Sequence, residues 1–251
     1  ARIALQVTDL GMLLMLGGPP AKGKFLPVPS LLPWMNDKDF LHELTVAEID
    51  QCIELFVESV VRASDSGFDA VELHLCHGGL PGSFLTPVLN RRTDEFGGSA
   101  ENRTRMACRI LERTKQKLGR GFPVMCRING DDDHKLGIRA DEVVKQAKLL
   151  EQAGADALSV TIGLEFWTSN NLPGYLHPSG AFVPFAAAIK KIVKLPVITV
   201  GKIYPELGEE IISQGMADYI AMGRQLLADP ELPNKAGRGS SAEINRCIYC
   251  N

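Results

Sequence analysis

His74 and His77 stand three residues apart, where an alternation of Val71, Leu73 and Leu75 with Glu72 and His74 gives way to a loop. Two imidazoles at a strand exit can hold a metal, work as an acid–base pair or clamp a substrate oxygen. One structural histidine beside one solvated histidine is the plain alternative. A zinc site wants a third ligand at a known spacing and no HExxH motif is present, so metal binding ranks behind the other roles. The loop that follows is rich in glycine and proline (Gly78, Gly79, Pro81, Gly82, Pro87). It then packs Asn90, Arg91, Arg92, Asp94 and Glu95 into one turn before Gly97, Gly98 and a helix cap at Ser99. A long polar loop at the carboxyl end of a strand is where barrel enzymes keep their chemistry.

Two later strand ends share a second pattern. Gly201-Lys202 follows one apolar run and Gly223-Arg224 follows the next. Glycine lets backbone N–H groups approach an anion and the basic side chain adds charge, which suits a phosphate. Two basic residues on a solvated rim are the alternative. Arg127 is a charge inside the apolar run PVMCRI and needs an anionic or carbonyl partner, for which Glu72 is a candidate. Gln6 ends RIALQV, and its amide can both donate and accept, as a heterocycle edge requires. Cys247 and Cys250 form a lone Cys-x-x-Cys, open to zinc, iron–sulfur or dithiol chemistry.

The elements that position these residues alternate in type. Strands are expected at Arg2–Val7, from Val71, at Pro123–Ile128, Asp156–Thr161, Pro196–Val200 and Asp218–Met222. Helices are expected from the capping box Thr45–Glu48 to near Gly67, from Ser99 to about Leu118, over Ala140–Ala153, over most of Phe182–Lys194, and from Pro205 to Gly215. Gly223-Arg224 leads into another. Residues 17–39 carry five prolines and no helical period, so a long loop is expected there. The strands read as short apolar runs, as parallel strands covered on both faces do. No glycine-rich dinucleotide turn follows the first strand, which argues against a doubly wound sheet. The expected fold is therefore α/β, a (β/α)8 TIM barrel. Six units are visible, and the expectation is a fragment lacking its first two.

Composition narrows the class. A chain of 251 residues can bury one large core. A net charge of −3 leaves no nucleic-acid or membrane-surface footprint, and no apolar run is long enough to span a bilayer. The six cysteines are scattered through helical patterns (Cys52, Cys108), a strand (Cys126), the key loop (Cys76) and the Cys-x-x-Cys, which favours reduced thiols and a cytoplasmic setting.

HLCHGGLPGSFLTPVLNRRTDEFGGSAENR resembles the signature of the Old Yellow Enzyme family of flavin reductases. GAFVPFAAAIKKIVKLPVITVGKI and ADYIAMGRQLLADPELPNKA resemble its longer branch, which includes 2,4-dienoyl-CoA reductase, 2-enoate reductase and trimethylamine dehydrogenase. RCIYCN resembles the opening of that branch's [4Fe–4S] motif. The resemblance implies an FMN-bearing barrel over residues 1–237 and the start of an iron–sulfur segment over 238–251. Gln6 and Arg127 would face the flavin's pyrimidine edge. Gly201, Lys202, Gly223 and Arg224 would grip its phosphate, and Cys247 and Cys250 would ligate the cluster. His74 and His77 would bind the carbonyl oxygen of an unsaturated small-molecule substrate. NAD(P)H would be the reductant, or electrons would come through the cluster from a second, FAD-type domain. Amine demethylation, with Trp34, Phe166, Trp167 and Tyr175 as an aromatic cage, and a non-catalytic electron-relay subunit are the other readings; oligomeric state is left open. The family usually carries a tyrosine where this chain has Gly79, which leaves Cys76 and Tyr175 as substitute proton donors. Glu165 is a further residue expected near the pocket.

Overall fold

Backbone pairing between distant segments dominates the architecture of the computed structural model, which describes residues 2–17, 20–21, 23–35, 38–168 and 170–251. In chain order, strand β1 (Ala4–Val7) is followed by a 3-10 helix (Gly11–Gly17), β2 (Leu26–Val28), β3 (Leu41–Glu43) and helix α1 (Val46–Asp65). Next come β4 (Ala70–Leu75), α2 (Leu80–Leu85), α3 (Ala100–Leu118), β5 (Val124–Asn129), α4 (Ala140–Ala153) and β6 (Ala157–Thr161). The chain continues through α5 (Val183–Lys190), β7 (Val197–Thr199), α6 (Pro205–Ser213), β8 (Tyr219–Ile220), α7 (Arg224–Ala228) and α8 (Leu232–Gly237).

Local chemistry sets the helix ends. Thr45 accepts from the Glu48 backbone N–H while the Glu48 side chain accepts from the Thr45 N–H, the reciprocal box expected for α1. Ser99 caps α3 through the Asn102 N–H. Gly154 ends α4 at φ +102°, a conformation open to glycine.

Six parallel strands form one sheet in the order β1-β4-β5-β6-β7-β8, each beside its predecessor in that series. A doubly wound sheet reverses direction at a switch point; this one never reverses, which is barrel order. Among the described residues it is a six-strand arc. One face is apolar: Leu73, Leu75, Val124, Cys126, Ile128, Leu158, Val160 and Val197 pack against Ile49, Ile53, Val57 and Val60 of α1, Met106 and Ile110 of α3, and Val143 and Leu150 of α4. The opposite face carries Gln6, Glu72, His74, Arg127 and Ser159. Register pairs Gln6 with Glu72, His74 with Arg127, and Arg127 with Ser159. Because side chains alternate, an apolar outer face leaves these polar residues side by side on the inner one.

Three expectations need correction. β1 is not buried: Ala4 and Gln6 are exposed, and Leu5 and Val7 only half-buried, because it lies at the sheet's edge. The stretch 17–39 is not all loop, since β2 pairs with β3 in a small parallel sheet; residues 18, 19, 22, 36 and 37 of it lie outside the described residues. The glycine–proline loop after β4 contains α2, all six of whose residues are buried. Among the described residues no helix is long and apolar enough to cross a membrane.

Candidate active site

The most recognisable stretch of sequence turns out to be scaffold. Asn90, 3% exposed, donates from Nδ2 to the carbonyls of Phe84 at 2.8 Å and Phe96 at 2.7 Å, tying the two ends of its own loop together. Arg92 binds Asp94 at 2.6 Å and donates to the carbonyls of Pro29 at 2.8 Å and Leu44 at 2.7 Å. Arg103 of α3 donates to the Leu85 carbonyl at 3.0 Å and pairs with Glu142 of α4. Gly82 has no room for a side chain: a Cβ there would lie 2.7 Å from the Cys76 nitrogen. These contacts press α2 against the end of β4 and fix where the histidines emerge.

The histidine rings face each other edge to face, with centroids 5.3 Å apart. His77 has φ +59°, a strained left-handed conformation for a non-glycine residue. Its N–H reaches Asn129 Oδ1 at 3.4 Å, and Glu165 donates its N–H to the His77 carbonyl at 3.0 Å. Asn129 is held in turn by Asp132 Oδ1 at 2.9 Å and the Gly163 carbonyl at 3.0 Å. The His77 ring lies 3.1 Å from the Thr161 hydroxyl at the end of β6. Burial, then the Arg127 charge, pushes His74 down to about 4; burial, then His74 and Arg127, pushes His77 down to about 3. Both rings are therefore neutral near pH 7, each with one N–H to donate and no charge to neutralise. Cys76 brings its sulfur within 3.7 Å of both His74 nitrogens, so three ligand-type groups cluster within 4.8 Å. Spacing alone had ranked metal binding lower for want of a third ligand. Cys76 is buried, and burial pushes its thiol up, away from the thiolate that a metal needs.

A cavity of about 350 Å³ lies at the ends of β7 and β8, lined by Arg127, Gly201, Lys202, Gly223, Arg224, Phe182 and Tyr249 among others. The structure thus brings together five of the six residues expected to bind cofactor. Gly201 has φ +113°, and a Cβ on it would touch the Phe182 ring at 3.0 Å, so this turn needs glycine. Open space surrounds Gly223. Lys202 donates to the carbonyls of Tyr175 and His177, both at 2.8 Å, and Arg224 to the Pro173 carbonyl at 3.0 Å. Arg224 also lies over the Tyr249 ring, 5.0 Å from its centroid. Among the described residues no carboxylate pairs with Arg127, Lys202 or Arg224, although most basic side chains in the loop and helices above have one. Three uncompensated cations around an open, glycine-walled cavity suit the dianionic phosphate of a mononucleotide.

Arg127 joins the two regions, since it pairs in register with His74 and also lines the cation cavity. Glu72, its expected partner, instead accepts from Gln6 Nε2 at 2.6 Å. Gln6 shares the inner face but is absent from the cavity's lining. Cys247 donates its N–H to Gln225 Oε1 at 2.9 Å, and its sulfur accepts from the Tyr249 N–H at 3.3 Å; Cys250 is exposed. Tyr175 sits over Lys202, not the histidines, and is 74% exposed. Glu165 accepts from Asn171. The sequence reading missed Asn129, Thr161 and Tyr249. A polar residue ending an otherwise apolar strand was the available signal for the first two; for Tyr249 there was none, because only the folded tail brings it to the cavity.

The family model described as "NADH:flavin oxidoreductase / NADH oxidase family" matches residues 25–243. An NADH oxidase of Thermoanaerobacter brockii is 44% identical over 83% of this chain and 32% of its own length. A cinnamate reductase of Clostridium sporogenes is 35% identical over 92% of this chain and 37% of its own. The solved histamine dehydrogenase of Rhizobium sp. 4-9 superposes with a TM-score of 0.87 at 29% identity, over 100% of this chain and 36% of that one. The chain spans about a third of the length of these relatives.

Proposed function

The chain belongs to the NADH:flavin oxidoreductase / NADH oxidase family, and from that premise we propose that it is the FMN-bearing part of an NAD(P)H-dependent reductase of activated C=C bonds. The observation that carries this is the inner-face continuity from His74 through Arg127 into the cation cavity. Lys202 and Arg224 would hold the phosphate, with the backbone of Gly201 and Gly223 close against it. Arg127 would lie under the flavin's polar edge, where its charge favours electron density on the ring. Gln6 would join it by exchanging Glu72 for the ring. When bound, FMN supplies the hydride relay between NAD(P)H and substrate. His74 and His77 would both donate N–H bonds to the carbonyl oxygen conjugated to the alkene. Two neutral donors stabilise charge gathering on that oxygen and leave the β-carbon electrophilic. Neutrality matters here, because an imidazolium would bind the ground-state carbonyl less selectively and would have to shed its proton on burial.

In this reading residues 1–237 form the flavin-binding unit and 238–251 lead into the iron–sulfur segment, with Cys247 and Cys250 as two of four thiolate ligands. The N–H···S contact at Cys247 supports that role, since such bonds stabilise thiolate. Six free cysteines suit a reducing, cytoplasmic setting.

The test is spectroscopic. The purified protein supplied with FMN should retain a flavin absorbance band. NAD(P)H should bleach that band, and an enoate or enone should restore it. Failure to retain any flavin would remove the proposal. Amine oxidation is a second reading, favoured by the cluster of Trp34, Phe166 and Trp167; flavin bleaching by an amine without NAD(P)H would select it.

A further inference from the structure

A second cavity, of about 500 Å³, is lined by Leu32, Pro33, Trp34, Val88, Arg91, His134, Leu136 and Trp167. Its apolar walls are unusually uncovered: Trp34 is 46% exposed, Trp167 37% and Leu136 63%. Trp34 and Trp167 meet edge to face with centroids 5.1 Å apart, and His134 lies 5.2 Å from Trp167. Exposed aromatic side chains around a concave space mark a site that an apolar, ring-bearing group would fill.

The lining carries one full charge, and it is positive. Arg91 is fixed at its backbone, where its N–H donates to Ser30 Oγ at 3.0 Å. The ion pairs of this turn run through Arg92, to Asp94 and Glu43, and Arg91 enters none among the described residues. His134 Nδ1 accepts from the Leu136 N–H at 3.2 Å, which leaves Nε2 to donate. In the adjoining cleft Lys135 adds a second positive charge. Asp133 is the opposing charge there, and its carboxylate is taken up by Thr168 at 2.6 Å and Asn170. A cation cage would want carboxylates facing inward and no arginine on its wall; this lining is the reverse.

The cavity is also tied to the histidines through one short loop. His77 and Leu164 form a β-bridge, Glu165 donates to the His77 carbonyl, and Trp167 donates to the Leu164 carbonyl at 3.0 Å. The loop that carries Trp167 is therefore the same one that is bonded to the backbone of His77.

We propose that this cavity is the specificity site of the enzyme, taking an aromatic or similarly flat apolar group that carries a carboxylate, with the ring against the uncovered surface of the Trp34–Trp167 pair and the carboxylate on Arg91. It rests on the reductase reading, whose substrate class it narrows, and it sets that reading apart from amine oxidation.

The chain's only two tryptophans both line the cavity, so tryptophan emission reports on it alone. The chain is titrated with phenylbutyrate, phenylbutanol and phenylbutylamine, which share one apolar body and differ in charge. The acid should shift the emission and bind at least about tenfold more tightly than the alcohol, with the amine weakest, because a charge-assisted arginine–carboxylate bond is worth about one to two decades. Arg91→Gln should bring the acid down to the alcohol's affinity. An amine that binds as well as the acid, or an acid affinity unmoved by Arg91→Gln, overturns the proposal. These readings need no flavin, so they fail separately from flavin retention. In turnover, Arg91→Gln should raise KM for an enone whose aryl group carries a carboxylate remote from the alkene, and leave its kcat and the KM for the matching neutral enone alone. Equal effects on both substrates overturn the specificity role.

Discussion

The acid stability of this chain should be governed by the histidine pair, and the size of the effect follows from the two shifted imidazoles. An unfolded histidine titrates at 6.5, whereas folded His74 and His77 are pushed down to about 4 and about 3. In the window between, the unfolded state binds two protons that the folded state refuses. Stability is therefore full above the unfolded value, falls as pH drops through it, and stops falling for this reason only below the folded values. From about pH 7 to about pH 5, each residue should cost about 2 kcal/mol and the pair about 4 kcal/mol. Stopping at pH 5 keeps both folded rings neutral, so their mutual repulsion does not enter, and it stays above the range in which most carboxylates titrate. The measurement is urea unfolding of the wild type and of His74→Asn, His77→Asn and the double variant at several pH values, with the urea slope confirmed constant across them. Each single variant should lose about 2 kcal/mol less than wild type over that range and the double about 4 kcal/mol less. Parallel curves for the wild type and the double variant would show that the rings are not held neutral by burial, and the assignment of both as uncharged donors would fall with it.

Three further outcomes are expected. Lys202→Met and Arg224→Met should each weaken FMN retention by about ten- to a hundredfold, read by equilibrium dialysis, since each removes one charge-assisted contact. Arg92→Met should cost about 3–5 kcal/mol in chemical denaturation, because it strips partners from Asp94 and two loop carbonyls at a side chain only 7% exposed. Gly82→Ala should destabilise by about 2 kcal/mol or more, because the new Cβ would lie 2.7–2.9 Å from backbone atoms of Leu75 and Cys76 that have nowhere to move.

Much of the fold was legible because it rests on local rules. Capping at Thr45 and Ser99, the glycine stop at Gly154 and the six apolar runs each declare an element within a few residues. β2 and β3 were not legible: three-residue strands such as Leu26–Val28 are too short for periodicity, and only pairing with a distant partner makes them strands. α2 was hidden by its own composition, because LPGSFL has poor helix formers and is held as a helix by burial on every residue.

For the site, residue types and strand ends were enough to point to His74, His77, Lys202 and Arg224, since charge and imidazole at such positions have few structural uses. The division of labour was not. Asn90, Arg92 and Arg103 look as chemical in sequence as the histidines do, yet their polar atoms are spent on carbonyls and carboxylates of neighbouring loops and helices. Whether a polar group is used up or free depends on which distant backbone reaches it. Sequence therefore determined the alternation of elements and the chemical inventory, through propensity, capping and pattern, all of which act over a few residues. Only tertiary structure decided that Arg127 stands between the imidazoles and the cation cavity, that Gln6 meets Glu72, and that Trp34 packs on Trp167 in the wall of a cavity that Arg91 also lines. Those outcomes depend on strand register and loop packing across scores of residues, where no short-range rule applies.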